Sequence, residues 1–61
     1  MKEKTIAYAI QVFGNKEAAE KWLNQKNTAL NDQKPTELLN TDNGCDAVIT
    51  VLGQIEDGDL S

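Results

Sequence analysis

A chain of 61 residues, 39% apolar and with one cysteine, is a single small domain near the lower limit of what folds without disulfides or metals. Six lysines, no arginine and ten acids leave a formal net charge of −4. That balance argues against a nucleic-acid binder, which presents a basic face and arginines to phosphates and base edges.

No apolar run is long enough to span a bilayer, and no secretory leader is legible at the start. The lone Cys45 cannot form an internal disulfide, which suits a reducing cytoplasm. A core of this size supplies only about 3–5 kcal/mol, which leaves room for a stabilising partner, a second copy or a neighbouring domain. An acidic surface favours basic protein partners, although single acids most often serve solubility.

In chain order, the pattern predicts an all-α, four-helix domain: two longer amphipathic helices, a proline-led short helix and a C-terminal helix. From Thr5 to Phe13, the residues Ile6, Ala9, Ile10 and Phe13 recur at helical spacing. Gly14 is the expected left-handed stop. Asn15 caps a second helix, with Glu17 in its first turn, where the macrodipole favours an acid. Its apolar face is Ala18, Ala19, Trp22 and Leu23, and the paired alanines predict a closely packed neighbouring helix.

Asn24 to Asn31 loses periodicity and reads as loop, with Leu30 as an inward anchor. Pro35 suits a first helical position and opens the short third helix, Pro35 to Leu39, which turns Leu38 and Leu39 inward. Thr41 is the expected cap of the fourth helix, whose apolar face is Cys45, Val48, Ile49, Leu52 and Ile55 and which Gly58 ends. Gly44 in its first turn weakens it by up to about 1 kcal/mol, so a backbone or the Trp22 ring is expected close by. Gly53 is a second glycine of this kind. The predicted core is Phe13, Trp22, Leu23, Leu30, Leu39, Val48, Leu52 and Ile55.

Little in the chain offers chemistry. Histidine is absent, which removes the commonest general base and metal ligand. One cysteine among scattered carboxylates makes no structural zinc site. "TDNGCD" lacks the alternating ligands and closing glutamate of a calcium loop, and "EDGD" reads as a solvated helix end. No phosphate-cradling glycine loop and no nucleophile paired with a base are present. The expectation is a non-enzyme without cofactor or metal.

Three stretches in order, "VFGNKEAAEKWL", "NTALNDQKPTELL" and "NTDNGCDAVITVLGQIEDG", resemble the toxin-binding domain of Xre/MbcA/ParS-type antitoxins. The resemblance rests on Phe13-Gly14 before a helix that ends in Trp22-Leu23, then Asn27 and Leu30, then Pro35 with Leu38-Leu39. It closes with Gly44, Val48, Leu52, Ile55 and Gly58, so that it covers nearly the whole chain. It implies a bacterial type II antitoxin that neutralises a RES-domain toxin, an NAD⁺ consumer, by covering the entrance to its active site.

Most of the matching residues read as core, Trp22 first among them. The expected toxin contact is the polar face of the last helix and its tail: Gln54, Asp57, Asp59, Leu60 and Ser61. Members of the family usually carry an N-terminal helix-turn-helix domain. The sequence starts at Met1 directly before the first helix, with no helix-turn-helix before it, so a single toxin-binding domain without DNA contacts of its own is expected, either a stand-alone neutraliser or a fragment of a longer antitoxin. Two alternatives stand beside this reading: a self-associating helical module, which would form a homo-oligomer, and a remnant of a transcription regulator.

Overall fold

A computed structural model describes residues 1–58. Within them lie three α-helices and two 3-10 turns: α1, Lys2–Phe13; α2, Lys16–Leu23; turns at Thr28–Leu30 and Pro35–Leu38; and α3, Asp42–Asp57. The all-α class holds, while the expected count of four helices is corrected to three. The proline-led segment is a 3-10 turn because it is too short for an α ladder and Pro35 has no N–H to give. Its bonds run three residues back, from Glu37 N–H to the Lys34 carbonyl (2.9 Å) and from Leu39 N–H to that of Thr36 (3.4 Å).

The helix ends are set by local chemistry. Asn15 accepts the Ala18 N–H at 2.7 Å and Thr41 accepts that of Gly44 at 3.0 Å. Gly14 and Gly58 stop α1 and α3 in the left-handed region, with φ of 89° and 80°. α1 begins three residues earlier than the periodicity suggested. Thr5 sends both its N–H and its hydroxyl to the Met1 carbonyl, at 2.9 and 2.8 Å. With its hydroxyl satisfied, Thr5 is fully buried, and with Ala9 it forms the most deeply buried line of α1.

Ile6, Ile10 and Phe13, expected on the central stripe, flank that line half-buried. α1 packs on both α2 and α3. Ala9 on α1 and Ala19 on α2 are both fully buried, and small side chains at these places let helix axes approach closely.

Leu23, Leu30, Leu39, Cys45, Val48, Val51 and Leu52 complete the buried cluster. Val51 was not expected inside, although it follows Val48 at i+3. Three residues expected in the core, Phe13, Trp22 and Ile55, are half-buried against it instead. The Phe13 and Trp22 rings meet tilted by 38° with centroids 5.6 Å apart, so the Trp22 indole covers one edge of the core rather than filling it.

The polar connector between α2 and α3 is more ordered than a plain loop. Leu30, buried, ends the first 3-10 turn. Asn31 and Asp32 then both adopt positive φ, 59° and 62°, and the Gln33 N–H returns to the Leu30 carbonyl at 3.1 Å. This is the arrangement of a type I′ turn, which Asn and Asp tolerate better than most residues. Asn27 is its hub. Its carbonyl accepts from Leu30 and Asp32, its N–H donates to Gln33, and its side chain accepts from Ala29.

α3 is seated on the second 3-10 turn. A Cβ at Gly44 would collide with the Leu38 carbonyl, whose carbon would lie only 2.7 Å away. The next residue, Cys45, is buried and donates its S–H to the Leu39 carbonyl at 3.5 Å. The close neighbour predicted for Gly44 is therefore a backbone and not the Trp22 ring.

Candidate protein-binding end of the last helix

Charge is distributed unevenly along the chain. All six lysines lie at or before Lys34, whereas six of the ten acids lie beyond it. α3 contains Asp42, Asp46, Glu56 and Asp57 and no base. Asp42 sits in the first turn, at the positive pole of the helix. Glu56 and Asp57 sit in the last, where exposed carbonyls already make the pole negative. Among the described residues the one ion pair is Lys16–Glu20 within α2, at 3.8 Å and exposed, so none neutralises α3.

Two of the predicted contact residues come together here. Gln54, half-buried, and Asp57, exposed, are three residues apart on one side of α3. Asp46 and Thr50 continue that side, which faces away from buried Val48 and Leu52. The Thr50 hydroxyl donates back to the Asp46 carbonyl at 2.9 Å. Asp59, Leu60 and Ser61, also predicted contacts, lie outside the described residues.

Sequence reasoning passed over Tyr8 and Glu56. The Tyr8 hydroxyl donates to Glu56 Oε1 at 2.9 Å across 48 residues of sequence. Among the described residues it is the one hydrogen bond that joins side chains of two helices. Accepting this bond, Glu56 holds the phenol pKa above the ordinary tyrosine range, and partial burial and the charges of Glu56 and Asp57 add to the effect. The available signal was a lone tyrosine beside the α1 stripe, an apolar ring whose polar tip needs a partner. Gly53 faces the same hydroxyl: a Cβ there would lie 3.7 Å from it, an ordinary contact.

Among the described residues no pocket indents the surface, no His, Cys, Asp and Glu cluster is gathered to hold a metal, and no helix is long and apolar enough to cross a membrane. Exposed carboxylates on α3, Asp46, Glu56 and Asp57, are hydrogen-bond acceptors, suited to a partner rich in donors. The described residues form a small helical module whose last helix ends in unneutralised acids. The sequence profile of the antitoxin Xre/MbcA/ParS C-terminal toxin-binding domain matches residues 9–58, and the chain belongs to that family. Its role is that of an antitoxin domain and its partner is a toxin. No curated protein and no solved structure gives a match.

Proposed function

We propose that the partner is a RES-domain toxin that consumes NAD⁺, and that the chain neutralises it in the cytoplasm by covering the entrance to its active site. The contact is the end of α3, through Gln54 and Asp57, continued by Asp59, Leu60 and Ser61. The observation that carries this reading is the electrostatic character of that end. Two acids stand in the last turn with no base beside them, each costing about 0.3–1 kcal/mol against the helix dipole. A cationic pocket that accepts phosphates reverses the sign of that cost, because carboxylates engage the same donors.

Two variants test it, one lacking Asp59 to Ser61 and one carrying Asp57→Ala. Both should retain wild-type circular dichroism, since Asp57 is exposed and chain ends carry little folding energy. In cells that express a RES-domain toxin, both should restore growth and NAD⁺ less well than wild type. Full rescue by both variants would move the contact to Asp46 and Thr50 or to the Asn27–Gln33 turn.

A further inference from the structure

The last turn of α3 is held from one side by a half-buried Ile55 and from another by the Tyr8–Glu56 bond. Gly58 caps it in the left-handed region, its N–H reaching the Gln54 and Ile55 carbonyls. Against these stand Gly53, which precedes it, and Glu56 and Asp57, which repel the carbonyl pole and each other. A lysine at position 8 would also hold Glu56, but it would cancel a negative charge. A phenol donates the same hydrogen bond while remaining neutral, so the turn stays ordered and its full charge stays available.

We propose that Tyr8 is a positioning residue for toxin binding: by holding Glu56 it keeps the last turn of α3 helical, and so fixes where Gln54 and Asp57 are presented. This rests on the reading that the end of α3 meets the toxin. Tyr8 itself touches no toxin atom in this scheme. It acts through Glu56, whose engaged carboxylate leaves Asp57 and Gln54 as the outward groups.

Three measurements test the proposal. Tyr8 is the only tyrosine, so ultraviolet titration of the intact chain reads its phenol alone. The midpoint should lie above the ordinary value and fall back in Glu56→Ala, and an unchanged midpoint would show that the bond is absent in solution. In Tyr8→Phe, amide exchange at Glu56, Asp57 and Gly58 should quicken about threefold or more, the scale of one solvent-accessible hydrogen bond, while Val48 and Leu52 keep their protection. Glu56→Gln keeps an acceptor and should protect the turn better than Tyr8→Phe does.

The third measurement is affinity for a RES-domain toxin that the wild-type chain binds. Tyr8→Phe should weaken it by the ratio of the closed fractions of the turn in wild type and variant, which the exchange data give. A turn equally protected in Tyr8→Phe, or a fall in the closed fraction that leaves affinity unchanged, overturns the proposal. If the wild-type chain binds no RES-domain toxin, the proposed function fails separately, and the exchange data still decide whether Tyr8 holds the turn.

Discussion

At its N-terminal end α3 has a threonine cap, an acid in the first turn, and a glycine at the point where the Leu38 carbonyl leaves no room for a methyl group. At its C-terminal end it has a glycine with room for a methyl group, two acids at the negative pole and no base. In its charges the first end follows the local rules of helix stability and the second departs from them, although Gly58 caps it in the left-handed region. Such departures concentrate where a sequence serves something other than its own fold. The contrast separates what α3 does for the domain from what it offers a partner.

The two glycines of α3 break the comparison most sharply. Gly44→Ala should destabilise by about 2–3 kcal/mol or more, because the obstruction is backbone, which cannot rotate away. In a domain of this size that approaches the whole margin, and a urea titration should show it as loss of the cooperative transition. Survival of the fold with a normal midpoint would mean that the second 3-10 turn yields, and that this end is not rigidly built. Thr41→Ala is the milder probe of the same end. It should cost about 1 kcal/mol by leaving the Gly44 N–H without its acceptor, readable as a lower melting temperature, and Thr41→Ser should restore most of it.

Gly53→Ala should have the opposite sign. A methyl group there meets only the Tyr8 hydroxyl, at an ordinary 3.7 Å, so the gain in helix propensity, up to about 1 kcal/mol, should appear as a higher melting temperature. Destabilisation would show that the Tyr8–Glu56 bond needs the open space. A stabilised variant that binds toxin less well would instead identify Gly53 as a place where the partner's backbone comes close.

The same contrast runs through what the sequence made legible. Signals carried by one residue and its immediate neighbours were readable: the Asn15 and Thr41 caps, the Gly14 and Gly58 stops, and Pro35 opening a turn; for Gly44 the sequence left a backbone or the Trp22 ring open, and the neighbour is the Leu38 backbone. Signals that depend on a distant partner were not. Hydropathy gives Thr5 no claim to the core, yet its hydroxyl is satisfied within its own helix and it is fully buried. That rotates α1 away from the Ile6–Ile10–Phe13 stripe, and Trp22 is only partly buried, beside Phe13. Tyr8–Glu56 joins residues 48 apart, and no periodicity records such a pairing. Of the predicted contact set, Gln54 and Asp57 were placed by helical spacing alone, whereas Asp59, Leu60 and Ser61 follow the last helical turn, where spacing fixes nothing.

Asp57→Lys has the smallest expected effect on stability and divides the two roles of this end most cleanly. The side chain is exposed, and among the described residues it has no side-chain hydrogen bond or ion pair. Reversing its charge replaces a repulsion with an attraction at the negative pole, which should raise stability by about 0.3–1 kcal/mol at low ionic strength. Added salt should erase most of that gain, because exposed charges are screened within a Debye length of about 8–10 Å. Toxin binding should move the other way, since a cationic pocket meets a lysine where it met a carboxylate, and rescue of toxin-expressing cells should fall below that of Asp57→Ala. Thermal melts at low and high salt, set beside that rescue, make the test. A variant that is more stable and still neutralises fully would place the contact elsewhere on the molecule, and the acids of the last turn would then be a solvated helix end.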